Sequence, residues 1–227
     1  AIWSVDRNQP IARIQTFDRL SFSAPTAALY DEKRDVYWVS NSKGGGSAKG
    51  KGFISRLDPE GNVMTLNYID GARPNVALRS PAGLALRGDR LFVADVDVVR
   101  EFHADTGEPS GRIEVPGAQH LNDVAAAPDG SLYIADLGAA PEFAGARNGT
   151  GAIYRVTPGG ELVPLLKGVA SGAPSALLAE SEAITIAALS GDLIQVPIAK
   201  PEEKPLRYAL GFGTLRGLVR LDAGTLL

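Results

Sequence analysis

Residues able to do chemistry concentrate in one stretch, His120 to Asp136, HLNDVAAAPDGSLYIAD. His120 stands two residues before Asn122, where a strand is about to begin. An imidazole titrates near neutrality and suits a general base, with Asp123 or Asp136 to orient it. A single histidine at the start of a strand is also commonly structural or exposed, because a base is assigned by geometry before pKa. The chain has no cysteine, so thiol nucleophiles, thiolate metal sites and disulfides are excluded. No serine lies in a nucleophile-elbow context, so no Ser-His-Asp arrangement is supported.

The elements that must position these residues follow from the same stretch. Leu121 to Ala126 is a small apolar run, Pro128-Asp129-Gly130 has the residues of a tight turn, and Leu132 to Ala135 alternates as a buried strand does. This strand-turn-strand grammar recurs. It is found at Ser23 to Ser40, Ser80 to Asp95, Leu121 to Asp136, Ala173 to Leu189, and Leu215 to the C-terminus. The second residues of the strand entries in these copies, Thr26, Ala82, Asn122, Ser175 and Arg216, are spaced by about 56, 40, 53 and 41 positions, near the roughly 40 to 50 of a four-stranded propeller blade.

Between copies the chain supplies two further strands around turn clusters at Asp58-Pro59-Glu60-Gly61, Asp105-Thr106-Gly107, Thr157-Pro158-Gly159-Gly160 and Lys200-Pro201-Glu202-Glu203. The fold class expected is all-β: a β-propeller of four-stranded antiparallel blades, with five blade starts visible and the last incomplete. Residues 1–227 form one domain. Its ring is either cut short or closed by the N-terminal segment Ile11 to Phe22, since a propeller protects its sheet edges.

Two local signals compete with this reading. Ala173 to Leu189 is rich in helix formers, but the β-branched run Ile184-Thr185-Ile186 and the match to the other copies favour strands. Gly45 to Gly52 fits the spacing of a phosphate-binding loop, yet Gly52 replaces the Ser or Thr that holds magnesium, and the following Phe53 to Leu57 reads as a strand rather than a helix.

Net charge is -3 without a basic block, which points away from nucleic acid and from an anionic membrane surface. No apolar run approaches the roughly 18 residues of a membrane span. A start at Ala1, without methionine or a signal-like apolar run, fits either a trimmed chain or a mature exported one. It favours a periplasmic or secreted protein over a cytoplasmic one. Asn148-Gly149-Thr150 fits the glycosylation sequon, a short and unspecific match.

In a propeller the innermost strands line a central channel, and their first residues share one face with the loops between second and third strands. The residues converging there are Ser23, Thr26, Asn41, Ser42, Ala82, Asp95, Asp97, His120, Asn122, Asp123, Asp136, Ser175 and Arg216. The loops Asn41 to Gly52 and Leu137 to Gly151 would rim the mouth. His103 falls in an outer hairpin and reads as a surface residue. Asp95 and Asp136 end equivalent strands, so repetition alone accounts for them as turn-capping acids.

The combination of SAPTAALYDEKRDVYWVS, LNDVAAAPDGSLYIAD and GFGTLRGLVRLDAGTLL resembles the senescence marker protein (regucalcin)/gluconolactonase family over about Phe22 to Leu227. The resemblance implies six blades and a metal-dependent lactonase. Of the family's ligand positions, the glutamate falls near Ser23 and the two asparagines on Asn122 and Ser175. The aspartate falls on Arg216. Only Asn122 keeps a ligand's identity, so a divalent cation, calcium or zinc, would rest on Asn122 or on another set such as Asp95, Asp123 and Asp136. Hard cations want several oxygen ligands, carboxylates among them.

A guanidinium at the lost ligand's position can supply the positive charge that polarises a carbonyl. Alternatively Arg216 pairs with an acid such as Asp123. The function expected is hydrolysis of a small lactone or ester, with His120, Asp123 and Arg216 catalytic and Asn122, Ser175, Asn41, Asp95 and Asp136 binding a lactone, ester or sugar acid. The alternative is a non-catalytic propeller that binds a small ligand or a protein on the same face.

Overall fold

The computed structural model describes residues 22–43, 51–138, 150–168, 173–200, 203–209, 215–222 and 225–226. These form four complete antiparallel blades and a short ribbon. Blade 1 contains β1 (Pro25–Asp31), β2 (Val36–Asn41), β3 (Phe53–Leu57) and β4 (Val63–Asp70). Blade 2 contains β5 (Pro81–Arg87), β6 (Arg90–Asp95), β7 (Val98–His103) and β8 (Pro109–Glu114). Blade 3 contains β9 (Leu121–Ala126), β10 (Leu132–Asp136), β11 (Ala152–Val156) and β12 (Leu162–Lys167). Blade 4 contains β13 (Pro174–Ala179), β14 (Ala183–Ala188), β15 (Asp192–Pro197) and β16 (Leu206–Ala209), and β17 (Arg220–Asp222) pairs with β18 (Thr225–Leu226).

The five repeats thus become four meanders and the start of a fifth element. Ala173 to Leu189 forms β13 and β14, not a helix. Phe53 to Leu57 is a strand, as the phosphate-loop argument requires. The closing segment Ile11 to Phe22 lies outside the described residues except for Phe22, as do most of the Asn41 to Gly52 and Leu137 to Gly151 loops.

Side-chain alternation explains how flat blades become a ring. In β6, Leu91 and Val93 pack toward blade 1 with Trp38, Ile54 and Ile69, whereas Phe92 and Ala94 pack toward blade 3 with Val124, Leu132 and Ile134. In β10 the same division sends Leu132 and Ile134 to blade 2 but Tyr133 and Ala135 to Ile184, Ile186 and Ile194 of blade 4. The period of two delivers alternate residues to opposite faces. The second strands β6 and β10 therefore each belong to two cores, which is why β10 is buried at every position.

The ends opposite the channel mouth are stapled by charge. Arg34, whose side chain is 7% exposed, reaches Asp31 at 2.9 Å within blade 1 and Asp89 and Asp105 of blade 2 at 2.9 and 2.7 Å. Trp38 Nε1 also donates to Asp31. Lower on the ring, Arg87 of blade 2 donates to the Gly130 carbonyl of blade 3, and Arg220 of β17 forms a two-point pair with Glu180 of blade 4 at 2.8 and 2.7 Å.

Candidate functional site

The first residues of β1, β5, β9 and β13 gather at one end of the ring, as the repeat predicts, but their side chains reach sideways into the next blade. Thr26 Oγ1 donates to the Pro81 carbonyl at 2.8 Å, and Ser40 Oγ lies 2.6 Å from the Ala82 carbonyl. Asn122 Nδ2 donates to the Ser175 carbonyl at 2.5 Å. A carbonyl only accepts, so the amide nitrogen is the end of Asn122 that faces it. Ser175 Oγ lies 2.6 Å from the Leu215 carbonyl and 3.0 Å from that of Ala187, and its single proton serves one or the other. Polar side chains at these openings thus bridge three of the seams around the mouth.

Asp123 joins three blades. Its Oδ2 accepts from the Leu177 N–H of blade 4 at 2.7 Å and its Oδ1 from Val124 N–H at 2.9 Å. On the other side it presses on Gly83 of blade 2, where a Cβ would stand 2.0 Å from Oδ1 and 2.4 Å from the Asp123 Cα. Part of the residue reaches solvent, yet the carboxyl lies among backbone and apolar groups. Burial pushes its pKa up to about 7, against the opposing pull of the Leu177 and Val124 N–H donors.

The second-strand ends tie each blade to its own opening. Asp95 is wholly buried and its Oδ1 accepts from Arg79 N and Ser80 N at 3.0 and 2.7 Å. Asp136 accepts from Gln119 N, His120 N and Gly138 N. In blade 1 Asn41 does the same work, accepting from Ser23 N at 3.1 Å while its amide donates to Val39 O and Ser55 Oγ. The capping role read from repetition is present, but the donors precede the first strand rather than only following the second.

His120 is half-buried, and burial lowers its imidazole pKa while nearby Asp136 acts in the opposite direction. Burial thereby disfavours its protonated form next to the mouth. Arg216 is exposed and makes no hydrogen bond or ion pair with the described residues. The expected Arg216–Asp123 pair does not form, because Asp123 is enclosed and both its oxygens are taken by backbone N–H groups. His103 is exposed in its hairpin.

The residues present do not fit the metal centre that the family resemblance implies. Asn122 turns its nitrogen to a carbonyl, Ser175 spends its hydroxyl proton on a carbonyl, and Arg216 brings a positive charge. Nor do Asp95, Asp123 and Asp136 make a substitute, since each is held by its own set of backbone N–H donors, and no group of three potential ligands occurs among the described residues. Sequence reasoning passed over Arg79, Arg100 and Tyr154. Arg79 has a sequence signal, since it precedes its strand by two residues as Gln119 does. Arg100 and Tyr154 are placed near Asp95 and Asp136 only by pairing of the second and third strands.

No family model matches the chain, and no curated protein matches it. Among solved structures it is similar to virginiamycin B lyase from Staphylococcus aureus, at 14% identity and a TM-score of 0.59 over 87% of this chain and 60% of that one. The β-propeller domain of Cps50 (Swd1) from Myceliophteria thermophila matches at 12% identity and 0.58, covering 88% and 60%. The computationally designed Ika8 protein matches at 13% and 0.54, covering 87% and 53%. Likeness at such identities is likeness of fold, and virginiamycin B lyase and the Cps50 (Swd1) domain support a β-propeller. The chain spans 53 to 60% of the length of these three.

Proposed function

We propose that this chain is a binding propeller, which uses the face carrying the first-strand openings to hold a small ligand or a protein. One observation carries the reading. The side chains at the positions of a lactonase's ligands are turned to backbone carbonyls, Asn122 donating to that of Ser175 in the adjoining blade and Ser175 to that of Leu215 or Ala187, so their polar groups serve assembly. Asp123, a candidate beside His120 for activating water, has both carboxyl oxygens engaged by N–H groups. Thermal-shift screening of the full chain against sugar acids, lactones and small dicarboxylates tests it, because a ligand that prefers the folded state raises the melting temperature.

His120 supports a second reading, hydrolysis of a lactone or ester in the manner of the regucalcin/gluconolactonase family but without its metal ligands. Its imidazole is partly accessible and next to Asp136, and burial disfavours its protonated form. A panel of lactones and aryl esters, with and without calcium, manganese or zinc, separates the two. Turnover that falls roughly 100-fold or more in His120→Gln is the signature of general-base hydrolysis and would displace the binding reading.

A further inference from the structure

Asp95 and Asp136 occupy the same place in adjacent blades, yet their surroundings differ. Asp136 holds its loop through three backbone N–H groups, and the residue across from Ile134 on the third strand is Tyr154. Asp95 holds its loop through two, and the corresponding residue, across from Val93, is Arg100. Arg100 Nε lies 3.2 Å from Asp95 Oδ2, and Arg79 Nε is 3.8 Å from the same oxygen. Blade 3 shows that an acid at this position ties the loop without any arginine. The two guanidinium groups of blade 2 are therefore more than the repeat requires.

Their geometry leaves donors over. Arg100 is pinned through Nε, its side chain is 17% exposed, and its two terminal nitrogens make no hydrogen bond to the described residues. Arg79 reaches the Asp95 carbonyl and the Asp97 carboxylate through Nη2, while its buried Nε has no hydrogen-bond partner. Lys51 is exposed one residue before Gly52, whose N–H donates to the Arg79 carbonyl. A planar guanidinium fixed at Nε presents the Nη edge as a fork that matches the two oxygens of a carboxylate. Asp95, at 0% exposure, supplies the fixed countercharge that makes holding two cations in place tolerable.

We propose that Arg100, fixed by the buried Asp95 at the seam of blades 1 and 2 with Arg79 beside it, presents a binding fork for the carboxylate of a small acid. This rests on the reading of that face as the binding face and names its ligand class. The site lies outward from the channel mouth, and Asp97, paired with Arg79, forms its rim.

The probe is malonate, titrated into the isotope-labelled full chain and followed by amide NMR, with sodium chloride at matched ionic strength and inorganic phosphate as comparisons. Saturable shifts around Arg79 and Val96 to Arg100, and affinity lowered roughly ten-fold or more in both Arg100→Gln and Arg100→Lys, are the expected results. The lysine variant keeps a cation beside Asp95 and loses only the fork, so a folded spectrum with weakened binding is specific. Unchanged malonate affinity in Arg100→Lys, phosphate binding tighter than malonate, or no saturable shift overturns the fork. Malonate shifts at His120 and Asn122 with Arg100 unmoved overturn the fork but leave the binding face standing. His120-dependent ester turnover instead overturns the binding reading.

Discussion

Asp123 shows how one residue can look catalytic and act as a joint. Its raised pKa follows from enclosure without a cation, and the folded state therefore holds its proton more tightly than an unfolded chain would. The sign follows directly. Stability from this group is fully present below the ordinary carboxylate range, is lost as pH rises toward about 7, and changes no further above it. Denaturation midpoints measured across this window should fall with rising pH in the wild type, and Asp123→Asn should remove that part of the slope. Gly83 is the other half of the joint. Gly83→Ala should cost about 1–3 kcal/mol by overpacking, and a double-mutant cycle with Asp123→Ala should show a smaller penalty, because the opposing carboxyl is gone.

At the scale of elements, both ends of the blade seams are held by different chemistry. The mouth uses neutral bonds such as Asn122 to Ser175 and Ser175 to Leu215, and the far end uses Arg34 with its three carboxylates. Removal of one partner from a buried pair strands the other, and Asp31 is only 3% exposed. Arg34→Ala should therefore destabilise by about 3–5 kcal/mol, whereas Asn122→Ala should cost only about 1 kcal/mol; urea denaturation reads both. A larger effect at Asn122 than at Arg34 would mean that the mouth, not the ionic staple, governs blade docking.

For the whole molecule, the sharing of β6 and of β10 between two cores makes neighbouring blades depend on one another. Amide exchange should be slowest in β6 and β10, which are flanked by blades on both sides, and faster in the outer strands β4, β8 and β12, where exposed and half-buried positions dominate. Exchange rates that fall uniformly across a blade from inner to outer strand would contradict this ordering.

The meander of each blade was legible from the sequence because it is local: turn clusters such as Pro128-Asp129-Gly130 and the alternation of Leu132 to Ala135 act over a few residues. The convergence of Thr26, Asn122 and Ser175 followed from the repeat spacing. What each convergent side chain does was decided only in three dimensions, by the packing of one blade on the next. That packing turned Asn122 to a carbonyl 53 residues away, closed Asp123 between Gly83 and Leu177, and left Arg216 exposed. Composition and spacing determine which polar groups meet; burial and the free backbone donors and acceptors around them determine which remain to meet a ligand.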